Sequence, residues 1–126
     1  VNQVDLMSFE KNAIPDAALK ELQLRYQESI PEKVNNLRQL INQFQNLQDL
    51  DTLNSLRNAV HKIAGSAGTY GFSEVSKICK EFEGNLIQKI KNFSSRAQNS
   101  AWLAECENYG KKIQEGFIDG NPERKK

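Results

Sequence analysis

The sequence predicts an all-α fold, an antiparallel (up-down) four-helix bundle with an additional short N-terminal helix. Three observations carry this. Apolar residues recur at helical spacing throughout, while no alternating apolar-polar run of strand length stands out. The chain has three prolines, and its seven glycines fall from Gly65 onward, so long stretches are free of helix breakers. The periodic segments are joined by short polar connections, as in a bundle of antiparallel neighbours. At 126 residues the chain has room for one core and one domain.

The first helix is expected to open near Pro15, which suits a first turn, with Asp16 favourable at the positive end of the dipole. Ala18, Leu22 and Tyr26 are its apolar positions. Pro31 is expected to break or kink this run, because it lacks a backbone donor and disfavours helix at Ile30. A second helix follows from about Glu32, with Val34, Leu37, Leu40, Ile41 and Phe44 as its stripe. A turn falls between Asn46 and Asp51. The third helix carries Leu53, Leu56, Val60, Ile63 and Ala67 on one face, and Gly71 is placed to close it in a left-handed conformation. Ser73 is the expected N-cap of the fourth helix, whose stripe is Val75, Ile78, Cys79, Phe82, Leu86 and Ile90. "KNFSSRAQNS" reads as a connection to a last helix with Trp102, Leu103, Cys106, Tyr109 and Ile113. The expected divisions are an N-terminal extension over 1–14, the bundle over 15–118 and a polar tail over 119–126.

Composition excludes several functions. Seventeen basic against sixteen acidic residues give a net charge of +1, and the lysines are scattered, so no basic surface for nucleic acid is expected. No apolar run approaches the ~20 residues of a membrane helix. The start lacks the basic-then-apolar order of a signal peptide. It also lacks an initiator methionine, so an excised domain or processed product is expected. Cys79 and Cys106 lie inside helical patterns rather than at metal spacing, which suits small buried apolar groups in a reducing cytoplasm.

The informative stretch is "RNAVHKIAGSAGTYGF", from Arg57 to Phe72, which holds the one histidine of the chain. His61 lies on the shoulder of the third helix's apolar stripe. Its neighbours three and four positions away are Arg57 and Asn58 on one side and Ala64 and Gly65 on the other, with Gly68 continuing the line. An interior glycine costs a helix about 1 kcal/mol relative to alanine. Gly65 and Gly68 therefore serve either close packing against another helix or the close approach of a partner to the imidazole. Imidazole nitrogen is a good nucleophile at neutral pH. A metal site lacks a second histidine or thiol at ligand spacing. Ser66 has no strand before it to build a nucleophile elbow, and no phosphate-cradling loop pattern is present. A small-residue surface around a nucleophilic histidine fits phosphoryl transfer between proteins, where bulky neighbours would block in-line approach.

Here the sequence resembles the histidine-containing phosphotransfer (HPt) domains of two-component phosphorelays. Their motif is a histidine followed by x-x-Lys-Gly, often serine next, and a further glycine where the helix ends. "HKIAGSAGTYG" supplies His61, Gly65, Ser66 and Gly71 in register, and "FSEVSKICKEFE" resembles the family's following helix with Glu83 at its usual acidic position. The family lysine is replaced by Ala64. Lys62 is the first candidate to stand in for it, with Lys77 and Lys80 as others, against the alternative that Lys62 is a solvated surface residue.

The resemblance implies a cytoplasmic, monomeric phosphorelay signalling intermediate. His61 would accept a phosphoryl group from an aspartyl phosphate on a response-regulator receiver domain and pass it to another receiver aspartate, downstream of a hybrid sensor histidine kinase. The domain would have no kinase or ATPase activity and bind no cofactor, and the magnesium ion would sit on the receiver. Arg57, Lys62, Ala64, Gly65 and Gly68 would form part of the docking face. Three alternatives stay open. One is a bundle of the same fold that docks a receiver without being phosphorylated. Another is a structural or dimerising helical segment with His61 incidental. The last is an enzyme using His61 as general base, for which no carboxylate is evident in the sequence to orient the ring.

Overall fold

The structure, a computed structural model, describes residues 15–94 and 98–120. These form four helices, α1 (Asp16–Leu47), α2 (Leu50–Thr69), α3 (Ser73–Lys91) and α4 (Ser100–Asp119). Each packs on its two neighbours in the ring, α1 on α2, α2 on α3, α3 on α4 and α4 on α1. With short connections between them, this is an up-and-down bundle.

The expected short N-terminal helix is not a separate element. Pro31 lies inside α1, which runs unbroken from Asp16 to Leu47. An interior proline costs about 3 kcal/mol through its missing donor and its ring. Packing on both sides of it outweighs that local preference. Before Pro31, the buried Tyr26 stacks on Tyr70 with ring centroids 4.6 Å apart, and its hydroxyl lies 2.8 Å from Ser66 Oγ. After it, Val34, Leu37, Ile41 and Phe44 enter the core. At 1.5 Å per residue, the 32 residues of α1 outrun the 20 of α2 by about 18 Å. The surplus is the N-terminal end, where Leu19, Leu22 and Leu24 are exposed. Leu22, expected on a buried stripe, therefore stands in solvent. Residues 1–14 and 121–126 lie outside the described residues, as do 95–97 of the last connection.

The turns follow from local chemistry. Gln48 adopts a left-handed conformation (φ 50°) and donates its N–H to the Phe44 carbonyl, closing α1. Asp49 caps α2, its side chain accepting the Thr52 N–H at 2.9 Å. Gly71, at φ +90°, closes α2 as its sequence position predicts. Ser73 is not the N-cap of α3. That place falls to Phe72, because Phe72 is buried against Phe117, with ring centroids 5.2 Å apart, and its N–H reaches back to the Ala67 carbonyl.

The core contains the expected stripe of α2, Val75, Cys79, Phe82 and Leu86 of α3, and Trp102, Cys106, Tyr109, Ile113 and Phe117 of α4, while the expected Ile78, Ile90 and Leu103 pack half-buried against it. Burial pushes the Cys79 and Cys106 thiols up to about 12, so both are neutral packing groups near neutral pH. Among the described residues no helix is long and apolar enough to cross a membrane.

Candidate functional site

His61 sits in the second half of α2 and opens to solvent, with 66% of its side chain exposed. Its Nδ1 lies 2.7 Å from Oε2 of Glu83 on α3, which is itself only 14% exposed. An ionised carboxylate can only accept, so Nδ1 carries the ring proton and donates it to Glu83. The neutral imidazole then has its lone pair on Nε2, which has no protein partner among the described residues. The carboxylate fixes both tautomer and ring orientation. Such an arrangement presents one unprotonated, accessible nitrogen to an incoming electrophile.

The α2–α3 hairpin sets this pairing. Tyr70, Gly71 and Phe72 turn the chain tightly, and Ser76 Oγ donates to the Ala64 carbonyl at 2.7 Å. That bond and the close approach of Ser76 to Gly68 hold the register that brings Glu83 opposite His61. The sequence reading missed this carboxylate as an orienting group. The signal was available: counting outward from the Gly71 turn along two antiparallel helices brings residues 61 and 83 to the same level. Arg57, one turn before His61, places its Nε 3.7 Å from the same Oε2 of Glu83, and its Nη1 donates to Asn58 Oδ1 at 3.2 Å.

The two glycines separate. A Cβ at Gly65 would meet nothing within 4 Å, so this position packs against no part of the described chain and leaves open surface beside the imidazole. A Cβ at Gly68 would stand 3.1 Å from Ser76 Oγ, so Gly68 serves the approach of α3 to α2. Ala64 does not belong to a docking face as expected. It is 4% exposed, because its position on α2 turns it toward α3, and it joins the core. Lys62 is exposed on the opposite flank, lining a recess of about 330 Å³ with Lys33, Asn36 and Ser66 between α1 and α2. Among the described residues no hydrogen bond or ion pair joins Lys62, Lys77 or Lys80 to His61.

Ser66 is a structural group, its hydroxyl engaged by Tyr26 and the Ile63 carbonyl. Among the described residues no cluster of three histidine, cysteine or acidic side chains is placed to hold a metal ion.

The sequence matches the Hpt domain family over residues 21–116, a span that takes in all of α2 and α3 and most of α1 and α4. No solved structure matches the chain. An all-helical bundle with its one histidine exposed on α2, matched over three quarters of its length, belongs to the Hpt domain family, whose members interact with receiver domains in two-component phosphorelays.

Proposed function

We propose that the protein is a phosphoryl carrier in which Nε2 of His61 is the acceptor atom. The reading is supported above all by one observation, the exposed imidazole whose Nδ1 is held by Glu83 while Nε2 has no partner among the described residues. In the forward step the Nε2 lone pair attacks the phosphorus of an aspartyl phosphate on a receiver domain. The P–O bond to the aspartyl carboxylate breaks, and the carboxylate leaves with the electron pair. The ring gains positive charge as the N–P bond forms, and Glu83 stabilises that charge through the Nδ1 proton. A second receiver aspartate reverses the step and recovers the neutral imidazole.

The chain contributes a positioned nucleophile and an approachable surface. The receiver supplies the magnesium ion and the acidic pocket that balances the moving charge. No nucleotide enters, so the domain has no kinase or ATPase activity. It acts as a monomer in the cytoplasm, between a hybrid sensor histidine kinase and its response regulator. Gly65 keeps the surface beside the ring low enough for the receiver's active site to reach Nε2, while Arg57 and Lys62 border the approach.

The replacement of the family lysine by Ala64 favours one competing reading, a bundle that docks a receiver without taking its phosphate. Mixing the protein with a receiver domain labelled on its aspartyl phosphate separates the two. Movement of label to the protein, in an acid-labile and base-stable form, is expected. A stable complex with all label left on the receiver or released as phosphate would establish the docking module instead.

A further inference from the structure

Phosphorylation of His61, if the reading above holds, creates an electrostatic conflict within the site. The phosphoryl group brings up to two negative charges to one edge of the ring while the Glu83 carboxylate lies at the other, 2.7 Å from Nδ1. Like charges on the two edges of one ring disfavour one another, and Glu83 is largely shielded from water, which weakens screening. The carboxylate that holds the ring's positive charge at Nδ1 thus also repels the phosphoryl oxygens across the ring, and a second cation beside the carboxylate would offset that repulsion.

Arg57 is placed to supply that cation. Its Nε lies 3.7 Å from Glu83 Oε2, the oxygen that accepts from His61 Nδ1. Among the described residues it is the one lysine or arginine in an ion pair with Glu83. Residues 57 and 64 are seven apart, two turns of helix, and so lie on the same flank of α2, one turn before and one turn after His61. On that flank residue 64 carries no charge, and residue 57 does.

We propose that Arg57 is a positioning residue for phosphorylation of His61, acting through Glu83. Its guanidinium restrains the carboxylate against Nδ1 and offsets the repulsion between that carboxylate and the phosphoryl group on Nε2. This gives Arg57 a part in the chemistry of the site beyond its place at the border of the receiver's approach.

The test uses phosphoramidate, a small phosphoryl donor that needs no docking surface, with phosphohistidine followed over time. Wild-type protein is expected to be phosphorylated. Arg57→Gln is expected to lower the rate roughly tenfold, as for neighbours coupled through one ion pair. Arg57→Lys should recover most of that loss. In a Glu83→Gln background, Arg57→Gln should change the rate by less than about twofold, because no carboxylate remains to offset.

Circular dichroism and thermal unfolding establish that each variant is folded at the assay temperature. Wild-type protein that takes no phosphate would overturn the phosphoryl-carrier reading and this inference with it. An Arg57→Gln rate equal to wild type overturns the inference alone. So does an equal loss in the Glu83→Gln background, or an Arg57→Lys variant no better than Arg57→Gln.

Discussion

His61→Gln is expected to abolish phosphoryl acceptance while leaving the bundle folded. The chain has no second imidazole to take over the role. The ring is two-thirds exposed, and among the described residues its one polar contact is with Glu83, so replacing it removes little packing. A glutamine amide can still donate toward the carboxylate. Stability should therefore change by no more than about 1 kcal/mol, the range for a surface position with one partner. Transfer from a labelled receiver should fall to background, because an amide nitrogen has no available lone pair for attack on phosphorus. Acid-labile, base-stable phosphate retained by His61→Gln would contradict the assignment outright.

The second large effect concerns Gly65, where an added side chain would start in open space. Gly65→Gln should slow transfer from a receiver roughly a hundredfold, since an error of about 1 Å in the approach of reacting groups suffices for that loss. The same substitution should make the bundle slightly more stable. Beyond its own stretch of helix, a Cβ at Gly65 would meet no atom of the described residues within 4 Å, and glutamine is a better helix former than glycine by about 0.5–1 kcal/mol. A gain in stability with a loss of transfer is a combination that a packing role for Gly65 cannot produce. Phosphorylation by phosphoramidate should stay within about threefold of wild type, because a small donor is not blocked by a side chain that obstructs a protein. Thermal unfolding alongside the two transfer assays checks all three expectations. A drop in folded protein matching the drop in transfer would show that Gly65 serves packing after all. Gly68 provides the contrast, since a side chain there would press on Ser76 and disturb the α2–α3 register.

Much of this architecture was legible in the chain. The stripes of α2 and α3 and the closing role of Gly71 follow from spacing and from the demand for a left-handed residue at the turn. Pro31 shows where local rules stop. Proline opposes a helix interior in any short segment, but nothing near it in sequence discloses that Tyr26 is locked to Ser66 and Tyr70, forty and more residues away. The N-cap of α3 was misread for the same reason. Ser73 has the better capping side chain, yet burial of Phe72 against Phe117 decides where the helix starts.

At the site, His61 and the small residues beside it stood out because few other functions explain a glycine next to the one imidazole. What could not be read directly was which flank of α2 faces α3. That orientation puts Ala64 in the core, gives Gly68 a packing duty, and brings Glu83 and Arg57 together around His61. Lys62 on α2 and Lys77 and Lys80 on α3 were the lysines expected to stand in for the one replaced by Ala64. The cation that shares Glu83 with His61 instead comes from one turn earlier on α2.

The most direct test of the account is to locate the phosphoryl group on the ring. Protein labelled with ¹⁵N on its histidine and phosphorylated by phosphoramidate can be examined by NMR for phosphorus–nitrogen and proton–nitrogen couplings. The account predicts phosphorus on Nε2 of His61, with Nδ1 remaining the nitrogen that faces Glu83. Phosphorus on Nδ1, or on any residue other than His61, would contradict it.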